Sequence, residues 1–289
     1  FFKDGLGLDF TFRRLENMSL FSEKEAYGNL YNESIVNYLP AITKQHDYSL
    51  TNIYTYQSQP NVSFVDPELI KVGETGLQFD LYYFLKKKSY LGGKYGTNLS
   101  LNASFWNNID GDFDFNNKNY KTKFFGNGEK YFSEISLEIR KKWSPKVDNI
   151  ILFVNQFYNK KYIEEKFGEI NSKILVIETT YKLNKNKSLK LDLQNMSTKD
   201  DTKNWLAAGL EYNLNSDLSL YISDMYNYGN TVKEKKIHYY NFGASYNKGI
   251  NRYTINYGRQ RGGLICYGGI CRYVPESNGL SFGVITSFF

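Results

Sequence analysis

The chain has little of what a helical membrane protein, a metalloenzyme or a disulfide-stapled scaffold requires. Cys and His occur twice each, Met three times and Pro five times. Mean hydropathy is −0.52. No stretch of ~18 residues is both apolar and uncharged, which excludes a membrane-spanning helix. That absence leaves strands open, because a barrel strand alternates apolar and polar residues and its average hydropathy hides it. Two thiols and two distant imidazoles cannot assemble a Cys/His metal centre. His46 and His238 are expected at opposite ends of the strands, so neither serves a shared nucleophilic site. Gly-x-Ser-x-Gly elements and glycine-rich phosphate loops are also missing. The chain is therefore read as neither an enzyme nor a cofactor binder. It opens Phe1-Phe2-Lys3-Asp4-Gly5 without a signal peptide. For an exported protein this implies further N-terminal sequence, so the barrel read below could be the C-terminal part of a larger one.

Aromatics are abundant: 26 Tyr and 21 Phe in 289 residues. Together with scarce Pro they favour strand, because such side chains fit a pleated surface. The net charge of +6 is scattered, with Lys86-Lys87-Lys88, Lys141-Lys142, Lys160-Lys161 and Lys235-Lys236 falling where strands are expected to stop. There, long cationic side chains can snorkel to headgroups. No basic patch of the kind nucleic acid requires is seen.

Period-two alternation carries the fold assignment. Leu77, Phe79 and Leu81 oppose Gln78 and Asp80; Leu189, Leu191 and Leu193 oppose Lys190 and Asp192. Leu206 and Leu210 oppose Glu211 one residue on, and Phe282 and Val284 oppose Ser281 and Gly283. The first of each pair is read as lipid-facing. Gln78, Asp80, Glu138, Arg140, Lys190, Asp192, Glu211 and Arg252 are read as lumen-facing, along with Asp9, Arg13, Asn98, Asn102 and Asn256. About fourteen such segments are expected, at 5–14, 30–38, 47–58, 75–86, 97–108, 130–142, 148–159, 172–183, 188–197, 204–214, 217–227, 237–247, 250–260 and 279–289. Segments 30–38, 47–58 and 148–159 alternate poorly. Each is close to the ~9–11 residues a tilted strand needs to cross a bilayer.

Short links, such as Ser144-Pro145-Lys146, Asn184-Lys185-Asn186, Asn215-Ser216 and Asn247-Lys248-Gly249, are rich in turn-forming residues. Long links are expected around 61–73, 109–128, 160–171, 228–236 and 261–278. Bacterial barrels have short periplasmic turns and long outer loops. The expectation is thus a single all-β domain over 1–289, a transmembrane antiparallel up-and-down β-barrel in the outer membrane with its C-terminus in the periplasm. The last strand, ending at Phe289, has the form the barrel-assembly machinery reads. Outer-membrane lipid and lipopolysaccharide are the other expected partners, with further envelope proteins conceivable.

Two local features remain. Cys266 and Cys271 lie close together in a glycine-rich outer loop, which suggests a disulfide in an oxidising compartment. Asp110, Asp112 and Asp114 have the spacing of the first half of a calcium loop, but Phe115 stands where glycine is needed and Lys121 where the closing Glu is needed. An acidic outer loop explains them equally.

Several stretches carry a family likeness. They include Arg13-Arg14-Leu15-Glu16-Asn17-Met18, Asn37-Tyr38-Leu39-Pro40-Ala41-Ile42-Thr43-Lys44-Gln45-His46, Leu91-Gly92-Gly93-Lys94-Tyr95-Gly96-Thr97 and Gln156-Phe157-Tyr158-Asn159-Lys160. Tyr226-Asn227-Tyr228-Gly229-Asn230, the run from Tyr257 to Cys266 and the run from Gly269 to Pro275 complete the set. In order and spacing the chain resembles a Bacteroidota outer-membrane family known only as a domain of unknown function. The resemblance implies a barrel in that envelope and longer N-termini; it implies no activity and no binding residues. Three functions follow from the whole reading: a pore or transport component for hydrophilic solutes, a membrane-embedded scaffold in secretion or barrel-insertion machinery, and a soluble carbohydrate-binding β-sheet module.

Overall fold

The computed structural model describes residues 5–18, 39–166, 168–267 and 270–287, with backbone alone for 264–273. Twelve strands form one antiparallel sheet, each hydrogen-bonded to the next in chain order. They are β1 (Leu6–Glu16), β2 (Gly73–Leu85), β3 (Thr97–Asp114), β4 (Asn119–Lys142), β5 (Val147–Asn159) and β6 (Glu169–Lys182). The sheet continues through β7 (Ser188–Thr198), β8 (Trp205–Asn213), β9 (Leu218–Tyr226), β10 (His238–Lys248), β11 (Asn251–Gln260) and β14 (Ser277–Thr286). A small separate hairpin, β12 (Gly263–Tyr267) with β13 (Ile270–Val274), lies in the last long connection.

This is the expected all-β up-and-down order with three corrections. Among the described residues the sheet holds twelve strands, where fourteen are expected over the whole chain. The expected strand 47–58 is an irregular segment with one 3-10 turn, Leu50–Asn52. It buries Tyr48, Leu50, Tyr54 and Tyr56 against the wall, leaves Asp47 and Ser49 exposed, and makes no ladder with any strand among the described residues. The expected strand 30–38 lies outside the described residues, as do Phe288 and Phe289. Second, the sheet is not closed. Among the described residues β1 and β14 are edges, without a ladder between them. Third, the expected loop 109–128 is a ribbon in which β3 and β4 run on past their neighbours to a tight turn at 115–118. Bulges after Trp106 break its register, so the alternation blurs there.

Turn chemistry sets one end. Asn184 Oδ1 accepts from the backbone N–H of Asn186 and Lys187, Asn215 Oδ1 from those of Asp217 and Leu218, and Ser144 Oγ from those of Lys146 and Val147. These side chains close short reversals by imitating a backbone turn. The other end carries the links 17–72, 160–168, 199–204, 227–237 and 261–276, while the eleven-residue link 86–96 is the one long connection at the turn end among the described residues. Gly73 starts β2 at φ +146°, where a Cβ would lie 2.0 Å from the Leu15 carbonyl oxygen, so only glycine lets β2 begin flush against β1.

The two faces are inverted relative to a water-soluble sheet. Phe10, Leu193, Leu206, Ile222 and Phe282 on one face are between 46% and 69% exposed. Opposite them, Asp80, Asn102, Glu134, Gln156, Glu178 and Gln194 are buried. Aromatic and aliphatic residues also pack on this inner side, where Trp106, Phe132, Leu152, Ile174 and Met196 form a core with Tyr48, Leu50, Tyr54 and Tyr56 of the inner segment.

Candidate functional site: the filled interior

Segment 39–60 runs through the concavity and is fastened by polar side chains from most of the sheet. Trp106 Nε1 of β3 donates to the Ile42 carbonyl at 3.0 Å. His46 Nε2 lies 2.9 Å from Glu134 Oε1 of β4, and Gln156 Nε2 of β5 donates to the other Glu134 oxygen at 3.2 Å. Tyr48 donates to Glu178 of β6 at 3.2 Å, and the Leu50 N–H to Gln194 Oε1 of β7 at 2.9 Å. Beyond β7, Tyr54 donates to Asp201 at 3.0 Å. A segment that reaches β1 through Arg13, β2 through Glu74, and β3, β4, β6 and β7 requires the sheet to curl around it.

The tightest anchor is Glu74 at the start of β2, whose side chain is fully buried. Its carboxylate accepts from Tyr56 OH at 2.7 Å, Ser58 Oγ at 2.9 Å and the Gln59 N–H at 2.6 Å, and it is paired with Arg13 of β1. Arg13 also donates to the Pro40 carbonyl at 2.7 Å, so one arginine holds both limbs of the inner segment. A buried carboxylate is tolerable when every lone pair has a donor, and Glu74 meets that condition. At the long-link end, Lys71 donates to the Tyr162 carbonyl at 2.9 Å and pairs with Glu165 at 3.6 Å, while burial pulls its pKa below the usual lysine value.

The residues expected in a lumen face the concave side. Gln78 donates to Asp80 at 2.6 Å, and Asn102 donates to Asp80 at 3.0 Å. Glu138 pairs with Arg140, Lys190 with Glu178 at 2.9 Å, and Arg252 donates to Ser245 at 3.1 Å. Asp192 accepts from Gln194 at 2.7 Å. Glu211 lies level with Lys190 and Tyr221 in the ladders. Leu77, Phe79, Leu81, Leu189, Leu191, Leu193, Leu206, Leu210, Phe282 and Val284 fall on the opposite, convex face by the same register.

His46, expected at one end of the strands, lies inside the sheet against Glu134. The only signal available was the Tyr-rich, poorly alternating run 48–56 next to it. Asp110, Asp112 and Asp114 lie two apart along one strand of the ribbon. Asp110 pairs with Lys123 at 3.0 Å and Asp114 accepts from Asn117, each interaction holding the carboxyl below its ordinary pKa. Among the described residues no three His, Cys, Asp or Glu side chains gather as metal ligands. The β12–β13 register sets Cys266 opposite Cys271; their side chains lie outside the described residues.

Two hollows remain beside the inner segment, sharing Gln45–Tyr48 as a wall. One of about 820 Å³ lies between the segment and β7–β11 and β14. The other, about 650 Å³, opens near the turn end and is lined by charged residues including Lys44, Glu138, Arg140 and Lys190. The chain is thus an all-β protein: one up-and-down antiparallel sheet of twelve strands, its concave side filled by its own segment 39–60. Residues 1–288 match a family of unknown function (DUF6029), and the chain belongs to that family. No curated protein and no solved structure matches it.

Proposed function

We propose that this chain is an outer-membrane β-barrel whose bore is occupied by segment 39–60, and that it acts as a gated transport component for hydrophilic solutes. The observation that carries the reading is the inverted polarity of the sheet. A continuous convex face of Leu, Ile, Phe and Tyr is open, while carboxylates and amides are buried on the concave side. In water such a face exceeds what a monomer leaves uncovered; against hydrocarbon it is the required surface. With twelve strands β1 and β14 run in opposite directions, so their free edges can pair antiparallel and seal the cylinder, as a bilayer demands of every backbone group.

In this reading the turn end and the C-terminus face the periplasm, the longer links face outward next to lipopolysaccharide, and β14 carries the assembly-machinery signal. Cys266 and Cys271 form a disulfide in the oxidising envelope. The polar concave wall and its two hollows provide the solute path. A filled bore also suits the second reading, a scaffold subunit of a larger envelope assembly. Planar-bilayer recording separates them. A transport component is silent as wild type and gives ohmic steps once 45–58 is removed or unfastened; a scaffold stays silent in both forms and co-purifies with envelope proteins. Flotation with phospholipid vesicles tests the membrane assignment itself. A chain that stays monodisperse in detergent-free buffer and fails to float would return the argument to a soluble binding module.

A further inference from the structure

We infer that the larger hollow is a binding site for a sugar-sized organic anion, its polar hydroxyls held by the sheet and its carboxylate or phosphate held by Arg261. The inference rests on the membrane reading only for its biological setting; the site is built by residues of the wall itself.

The floor of the hollow is shaped by register. Ser223, Asn241, Gly258 and Gly279 lie level across β9, β10, β11 and β14. At Gly258 and Gly279 the wall has no side chain, and the space a Cβ would occupy at Gly279 is open to 4 Å. One step above along each strand stand Gln260 and its ladder partner Ser277; one step below stand Asn256 and its partner Ser281. At Gly258 the Tyr240 carbonyl oxygen and Asn241 close in to 2.5–3.1 Å of where a Cβ would stand, so the recess is the open space at Gly279, bordered by amides and hydroxyls. The side chains of Ser223, Asn241, Gln260, Ser277 and Ser281 have no hydrogen-bond partner among the described residues, so their amides and hydroxyls are free to take a ligand. Neutral amides and hydroxyls around ~820 Å³ of space suit a polyol. Tyr239, stacked on Trp205, supplies a flat apolar wall.

Charge sets the ligand's sign at one end. Two arginines border the recess. Arg259 is neutralised by Glu276, which accepts from its Nε at 2.7 Å, and its guanidinium lies over the Tyr239 ring. Arg261 is half-buried and has no ion pair and no hydrogen bond among the described residues. Burial draws its pKa down, as expected of a cation lacking a contact partner. A guanidinium in that position offers a fork of donors matched to a carboxylate or phosphate. Asp47, Asp192 and Asp224 also border the hollow. Asp192 is held by Gln194 and one Asp224 oxygen by His238; the other Asp224 oxygen is a buried acceptor left for a ligand hydroxyl, and Asp47 is exposed. Glu164 and Asp201 act on Arg261 only at longer range and are held by Tyr158 and Lys166 and by Tyr54 and Lys160, so the anion's place is the Arg261 end.

The test is isothermal titration calorimetry on the whole chain in detergent, with glucuronate, glucose 6-phosphate and glucose as probes. Both anions are expected to bind, and glucose roughly 10- to 100-fold more weakly, the weight of a charge-assisted hydrogen bond. R261Q should bring the anions down to the level of glucose, R259Q should leave the preference for anions in place, and N241A should weaken all three probes together. Equal affinity for glucuronate and glucose, unchanged anion binding in R261Q, or no heat from any probe at ~10 mM would each overturn the inference. Vesicle flotation of the same preparations keeps the two ideas apart. A chain that floats but binds no anion loses this site and keeps the membrane reading; one that binds anions but does not float does the reverse.

Discussion

Leu193→Arg is the substitution that separates lipid from water most sharply. Leu193 lies on the convex face, 46% exposed, five residues from either end of β7. At ~3.3 Å per residue that is ~16 Å along the strand, or ~12 Å along the membrane normal for a tilt near 40°. The side chain therefore sits at the middle of an apolar band ~25 Å tall. If that band is hydrocarbon, arginine costs about 2–4 kcal/mol there and about 0–1 kcal/mol near the interface. Leu189, next to the start of the same strand and on the same face, is the matched interfacial position. If the face meets water, both substitutions are surface changes and fall within about 0.5 kcal/mol of neutral. The assay is urea-induced unfolding of chain folded into phospholipid vesicles, read by tryptophan fluorescence. Membrane burial gives a loss at 193 several times that at 189. Equal, small losses at both positions would refute the lipid assignment.

Three other outcomes follow from the packing. Glu134→Ala removes the acceptor shared by buried His46 and Gln156; it is expected to cost about 3 kcal/mol and to raise hydrogen exchange across 45–56 before the sheet opens. Trp106→Ala loses the stack on Tyr56, the Arg13 guanidinium 5.1 Å above the ring and the bond to the Ile42 carbonyl; a cost of about 3–5 kcal/mol should appear as a lower denaturation midpoint. For the cross-strand pair Cys266 and Cys271, alkylation of the denatured, unreduced chain should label neither thiol, and reduction should expose both with little change in global stability, because so short a loop limits the unfolded chain only locally.

The sheet was largely legible in the sequence and its filling was not. β2, β7 and β8 could be located within a few residues because an apolar row such as Leu77–Phe79–Leu81 or Leu189–Leu191–Leu193 alternates with polar residues such as Gln78 and Asp80 or Lys190 and Asp192 over most of each strand. That pattern survives only where the two faces meet different media. Where they do not, it fails. In β5 and β6 the inner face carries Leu152, Val154, Ile174 and Val176 against the inner segment's aromatics, so both sides read as apolar. Segment 47–58 buries Tyr48, Leu50, Tyr54 and Tyr56 without joining a ladder, so its Tyr-rich run reads as a strand that the structure does not form. The β3–β4 ribbon was lost as a strand because its bulges shift register at three points. Arg261 carried no signal at all: Arg259 is paired directly with Glu276, whereas Arg261 makes no ion pair or hydrogen bond among the described residues and feels Glu164 and Asp201 only at longer range, a difference only side-chain geometry can show.

The way segment 39–60 is held argues for a plug that can leave. A permanent core is stabilised by apolar contact, and part of this interior is of that kind, around Leu50 and Tyr56. The remaining fastenings are different in nature. Three glutamates on three different strands, Glu74, Glu134 and Glu178, each bind one or more groups of the segment through hydrogen bonds of 2.6–3.2 Å. Buried carboxylates cost more to keep than apolar residues of the same size. They have one property that apolar contact lacks: on departure of the segment, water can replace every bond they lose, so the wall left behind is already wettable. A wall built only to be filled has no use for that property, whereas a wall that must alternate between filled and hydrated does. Beside the segment, the hollow next to Gly279 is lined by amides and hydroxyls, which sets a solute-sized polar space directly against the inner segment.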